Sequence, residues 1–291
     1  MSDVDRYPLP EDDERTEMRV GVWRALRAVP MYFKSPINIE GISATDLFSM
    51  NTLLGGTIEA QTVATLNETR SIWDANGKWA DYAFKRYAES FPDVRLEREG
   101  DKNPLIGIEL KGWYLLAKEE MPSFRFKAAA EAMTVWDLIA VFPWSLSNVI
   151  SGTPVLGSPY IEQSKYAADL RTYYWEHRSS SAKPVQHPNT HPYPEPGSAY
   201  SDIVTDDRGG NFGRIARVKG LMDDWVTETM QTPLSGIEAR WWVRFLKLFD
   251  ERSDEKAILE KFERLAKDAG RDSSWAEEVF DHVQQLLNLN S

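Results

Sequence analysis

Residues 93–116 constrain the fold more than any other part of the sequence. VRLE and LIGIELKGWYLL both alternate as strands do, and EGDKNP between them is turn chemistry. An antiparallel strand pair follows. In its second strand Ile106, Ile108 and Leu110 face one side, and Gly107, Glu109 and Lys111 the other. A carboxylate and an ammonium therefore stand together on a strand that otherwise reads as core. Charges are costly to bury unless paired or bound to metal. The turn folds the first strand back, so that Asp93, at its start, converges on the face of Glu109 and Lys111; Asp101 sits in the turn itself.

Around this pair the sequence reads as an α/β chain. Residues 18–29 form a short helix. Thr45 and Asp46 cap a second helix that runs, with an interruption at Gly55-Gly56, to about Trp73. SFRF (123–126) is a third strand, AAAEAM (128–133) a helix and LIAVFPW (138–144) a buried strand. Residues 159–178 form an amphipathic helix and 184–202 a proline-rich loop. Three helical segments follow residue 236, the last opened by Ser274 and Glu277 as a capping box. Three parts result: an acidic N-terminal tail (1–17), a core (18–235) and a helical C-terminal extension (236–291).

Composition narrows the chemistry. The 291 residues contain no cysteine, which excludes disulfide scaffolds, cysteine-based zinc or iron–sulfur sites and thiol nucleophiles. No apolar run reaches the length of a membrane span, and the N-terminus lacks the basic start and apolar core of a signal peptide, so a cytoplasmic protein without a membrane partner is expected. The net charge of −11 argues against a nucleic-acid partner. Residues 1–17 and 250–291 each carry −5, however, leaving the middle near neutral.

Two carboxylates beside a lysine suit Mg²⁺-assisted phosphodiester hydrolysis. Carboxylate oxygens are the hard ligands that Mg²⁺ takes, the metal activates a water, and lysine orients or deprotonates that water or offsets developing charge. Pro92-Asp93 with Glu109-Leu110-Lys111 resembles the PD-(D/E)xK nuclease motif in its E-x-K form. The element order over about 46–144 is similar to that fold's core of helix, three strands, helix and strand. IELKGWYLLAKEEMPSFRF is similar to bacterial type II restriction endonucleases. The resemblance implies a sequence-specific, Mg²⁺-dependent endonuclease acting on double-stranded DNA as a homodimer, with a DNA methyltransferase as companion. It implies Asp93, Glu109 and the Leu110 carbonyl as metal ligands, with Lys111 serving the attacking water. Glu59, on the apolar stripe of the preceding helix, would complete the site. A repair, junction or phage-defence nuclease and a catalytically inert DNA-binding or assembly protein are the alternatives.

Contacts to DNA are expected from three segments. Residues 208–219 hold Arg208, Arg214, Arg217 and Lys219 without an acid, and the glycine-rich GGNFGR adds Asn211. Ser123 and Arg125 follow the catalytic strand, and Ser147 and Asn148 follow the buried strand. His187 and His191 have zinc-pair spacing, but Pro188 and Pro192 forbid the helix that such a pair needs. Trp241 and Trp242 lie in an amphipathic helix and read as core or subunit contacts.

Overall fold

The computed structural model describes residues 6–41, 51–88, 90–101, 103–178, 184–185, 203–204, 210–247, 255–268, 270–272, 274–278 and 281. Helix α1 (Glu14–Tyr32) opens at Asp13, whose side chain accepts from the Arg15 N–H, and buries Met18, Val22, Ala25, Leu26 and Val29 at helical spacing. It precedes α2 (Asn51–Glu68) and the one-turn α3 (Arg70–Trp73). Gly21 is where α1 meets α3: a Cβ there would lie 2.5 Å from Trp73 Cα.

Strands β1 (Tyr82–Arg86), β2 (Val94–Arg98) and β3 (Ile106–Tyr114) form an antiparallel meander. Gly100, at φ +79°, makes the expected β2–β3 turn, and Asp101 Oδ1 accepts from the Asn103 N–H at 3.0 Å. The chain crosses over to β4 (Leu138–Leu146), which pairs parallel with β3 over seven residues, with Glu109 opposite Ile139. All nine β4 residues are buried. On the other side β5 (Pro154–Leu156) and β6 (Tyr160–Gln163) pair antiparallel with β4. Helix α4 (Ser164–Arg178) follows β6, and β7 (Pro184–Val185) with β8 (Ile203–Val204) forms a separate two-stranded ladder. Then come α5 (Asp223–Met230), a small hairpin of β9 (Pro233–Leu234) and β10 (Ile237–Glu238), α6 (Ala239–Leu246) and α7 (Glu255–Asp268). The chain is thus a mixed α/β fold on a six-stranded sheet. No described helix is long and apolar enough to cross a membrane.

Several elements differ from expectation. SFRF is not a strand, and the third strand of the meander is YAFKR at 82–86. AAAEAM forms only a 3₁₀ turn at Ala130–Ala132. The Arg171 guanidinium takes the Phe126 and Ala128 carbonyls at 2.7 and 3.0 Å, binding backbone acceptors at the start of this segment. Residues 160–163 are strand instead of helix, because they pair with Leu138–Val141. Helix α2 passes through Gly55-Gly56 unbroken. The expected cap at Thr45 and Asp46 lies outside the described residues, as do Arg208, His187 and His191. In the last helix Asp272 does the capping, accepting from the Trp275 N–H at 3.2 Å and from Ser274 Oγ at 2.5 Å.

Candidate active site

Strand β3 outlasts β2, and this sets up the site. The β2–β3 pairs run from Leu96–Ile106 to Val94–Ile108 and stop. The Leu110 N–H, two residues further, has no strand partner on that side, and Asp93 Oδ2 accepts it at 2.7 Å. The backbone of Asp93 is fixed as well, its carbonyl accepting from the Tyr87 N–H at 2.7 Å. Arg95 secures the preceding turn through the Phe91 carbonyl at 2.8 Å. Across β3, Asp137 does the corresponding work at the start of β4, accepting from the Gly107 N–H and the Thr134 N–H, both at 2.7 Å. Each neighbour of β3 thus meets it through a carboxylate at the ladder's end.

Strand alternation brings Glu109 and Lys111 together as the sequence indicates. Lys111 Nζ lies 2.6 Å from Glu109 Oε1 and 3.7 Å from Asp93 Oδ2. The Asp93, Glu109 and Lys111 side chains are 16, 11 and 21% exposed, mostly dry but open to a reactant. Burial first, then the charge of Glu109, pushes the Asp93 carboxyl up to about 8, against the pull of Lys111 and of the Leu110 N–H. At Lys111 burial works against the charge, but Glu109 and Asp93 outweigh it and hold the ammonium above its ordinary range.

Glu59 stands apart from this group. Its Oε2 accepts from Arg86 Nε at 2.7 Å, and Gly56 leaves room for that guanidinium, a Cβ there lying 3.5 Å from Arg86 Nη2. The field of Glu59 still reaches Asp93 and Lys111, raising both. Among the described residues no three His, Asp or Glu side chains group to hold a metal ion. The donor set nonetheless fits a hard cation. Glu109 Oε2 is buried without a hydrogen-bond partner, and Asp93 and Glu109 face one ammonium between them. Mg²⁺ commonly takes one or two carboxylates and fills its octahedron with water and phosphate. The Leu110 carbonyl shares the β3 edge of its N–H, beyond the last β2 pair.

The expected DNA-contacting residues fall into two places. Phe91, two residues before Asp93, packs on Phe126 with ring centroids 6.3 Å apart, and the Phe126 N–H donates to the Gly213 carbonyl at 2.6 Å. This brings Ser123 and Arg125 together with Asn211, Arg214 and Arg217, on the Asp93 side of the sheet. Arg125 is exposed and lies against Gly210, where a Cβ would overlap its guanidinium. Asn211 Oδ1 accepts from Arg217 Nη1, and Arg214 Nε is buried without a hydrogen-bond partner. Ser147 and Asn148 are elsewhere, exposed in the β4–β5 turn. They lie eight residues along β4 from Ile139, the partner of Glu109, which is about 26 Å of strand.

Sequence reasoning passed over Asp137, Arg86 and Arg171. Arg171 carries the same signal that drew attention to Glu59, a charge on the apolar face of a helix beside Ala167, Ala168 and Leu170. Trp242 packs on the core and donates to the Leu234 carbonyl at 2.8 Å, as expected of a core contact. Trp241 instead lies beside the guanidinium groups of Arg240 and Arg244, at 5.3 and 5.0 Å. No protein-family model matches the chain, and no curated protein matches it at a significant level of similarity.

Proposed function

We propose that the chain is a Mg²⁺-dependent, sequence-specific deoxyribonuclease of the PD-(D/E)xK type, a type II restriction enzyme cutting both strands as a homodimer. One observation carries this reading: Asp93, just before β2, and Glu109, on β3, converge on Lys111 where the β2–β3 ladder stops and β3 continues. The topology supports it, since an antiparallel meander followed by a strand parallel to its third member is that fold's sheet. The β3–β4 crossover departs from the pattern by carrying a 3₁₀ turn in place of a helix.

Asp93, Glu109 and the Leu110 carbonyl would hold the metal. Bound Mg²⁺ supplies Lewis-acid polarisation of the phosphate and lowers the pKa of a coordinated water. Lys111, kept charged by its two acids, presents N–H donors that orient the attacking water and offset charge developing on the phosphorane-like transition state. Glu59, bound to Arg86, contributes its field to Asp93 and Lys111. Arg125, Arg214 and Arg217 hold the DNA backbone beside the cut, with Ser123 and Asn211 as further polar contacts. Ser147 and Asn148, in the β4–β5 turn, would meet the duplex at a separate point. A methyltransferase protecting the same site would be the companion, and the cytoplasm the compartment.

The test is incubation of the purified chain with long DNA of varied sequence and Mg²⁺, followed by sequencing of fragment ends. Ends at one short motif are expected. Scattered or structure-directed ends indicate a repair, junction or defence nuclease, and intact DNA indicates a binding or assembly protein. Glu109→Ala and Lys111→Ala should each lower cleavage by at least about a thousandfold while leaving far-UV circular dichroism unchanged. Robust Mg²⁺-dependent cutting by either variant would sink the assignment.

A further inference from the structure

Away from the acid cluster, a cavity of about 430 Å³ opens between α1 and β6, lined by Arg6, Tyr7, Arg19, Trp23, Glu162 and Gln163 among others. Of its charged and amide side chains all but one are hydrogen-bonded. Arg6 holds Glu162 through Nη2 at 2.6 Å and Nε at 3.0 Å. Glu162 Oε1 also takes the Gln163 N–H at 2.8 Å. Gln163 exchanges hydrogen bonds with the Tyr7 backbone at 2.9 and 3.1 Å, and Tyr7 donates its hydroxyl to Asp169 at 2.5 Å. Arg19 is the exception: its Nε is buried without a hydrogen-bond partner, and it forms no ion pair among the described residues.

Arg19 is only partly buried, but its Nε–H is withdrawn from water, and such a donor is costly unless an acceptor meets it. Glu162 is the nearest compensating charge, but it is already bound by Arg6, so the cavity is left with one positive charge in excess. Burial accordingly lowers the Arg19 pKa. Leu9, Ile161 and the Trp23 indole supply apolar walls, and the volume exceeds what one oxyanion fills. We propose that this cavity is a binding site for a phosphate-bearing small molecule, its phosphate taken by Arg19 and its remainder by Trp23, Leu9 and Ile161. Arginine suits the task because its planar fork matches phosphate oxygens in pairs. The site makes no use of Asp93, Glu109 or Lys111, so it stands whether or not the chain cuts DNA.

Calorimetry and thermal melting of the full chain in EDTA, without DNA, test this. The probes are orthophosphate and deoxyadenosine 5′-monophosphate. Saturable binding of one or both is expected, with a rise in Tm. Arg19→Gln should weaken binding by about tenfold or more, whereas Arg24→Gln, exposed on the same helix, should bind as the wild type does. Tighter binding of the nucleotide identifies an organic phosphate as the occupant, and equal binding identifies free phosphate; both support the site. A second variant guards against misfolding: Arg19→Met removes the uncompensated charge and should raise the Tm of the ligand-free protein. The proposal is overturned if neither probe binds saturably, if Arg19→Gln binds undiminished, or if Arg19→Met melts lower than the wild type.

Discussion

Asp93 links the acid cluster to stability. With its carboxyl pushed up to about 8, the metal-free folded protein holds a proton that the unfolded chain releases near 3.8. Between these values the folded state binds more protons than the unfolded state, so stability falls as pH rises and is flat below both. In EDTA, melting temperature should therefore decline from about pH 4 to pH 8, by an amount worth up to a few kcal/mol. Asp93→Asn keeps an oxygen for the Leu110 N–H and should flatten that decline. At pH 8 Mg²⁺ should raise the Tm of the wild type and leave Asp93→Asn almost unmoved. Equal slopes in both proteins would show that another group governs the titration. These three residues were legible because alternation in a strand is a fixed geometry and the EGDKNP turn fixes what it brings together. The partner of Glu59 was not legible, because Arg86 belongs to a strand whose YAFKR sequence ends in charges and shows little alternation.

At the scale of elements, local pattern identified strands and helices with dense local signals and failed where pairing is non-local. Strand β6 is the clearest case. YIEQ runs directly into a helical sequence and becomes strand only by lying beside Leu138–Val141. The crossover is another: alanines favour helix, but Arg171, more than forty residues away, takes the carbonyls at its entrance. Arg171→Met should cost about 3 kcal/mol or more by leaving those buried acceptors unpaired, read as a lower denaturation midpoint. Loss of packing alone would cost much less. The α1–α3 crossing offers a second test. Gly21→Ala places a methyl 2.5 Å from backbone at Trp73, which α1 must move to accommodate. A loss of about 1–3 kcal/mol is expected, and a neutral outcome would mean that the two helices are free to separate.

The whole molecule carries its acidity at its ends. Residues 250–291 contribute −5, and α7 within them builds a small apolar cluster with the following helical segment, around Phe262, Ala266 and Ala276, separate from the main core. Polar contacts tie it to the end of α6, with Lys261 Nζ donating to the Lys247 carbonyl at 3.2 Å and Arg244 pairing with Asp268 at 3.6 Å. Truncation after Lys247 should accordingly leave the melting of the sheet domain within a few degrees of the full chain. It should also raise affinity for non-specific DNA at low salt, by removing repulsion, with the gain fading as the Debye length shrinks. Equal affinities at every salt concentration would show that the terminal charge does not reach the proposed DNA face. The N-terminal acids differ in situation, since residues 6–13 lie against β6 and α4 through Arg6 and Tyr7. Nothing in their composition announced that attachment.

The carboxylate that caps β3 beyond the end of β2 has a second effect, on how the molecule meets its own copies. A strand longer than its neighbour presents donors that any extended peptide can adopt, and such an edge is where β-proteins join end to end. Asp93 closes the first of these donors, at Leu110, with its carboxyl group. The residue proposed to hold metal would thereby also act as a gatekeeper against self-association. Loss of that side chain would leave the Leu110 N–H without its acceptor at the end of the β2–β3 ladder.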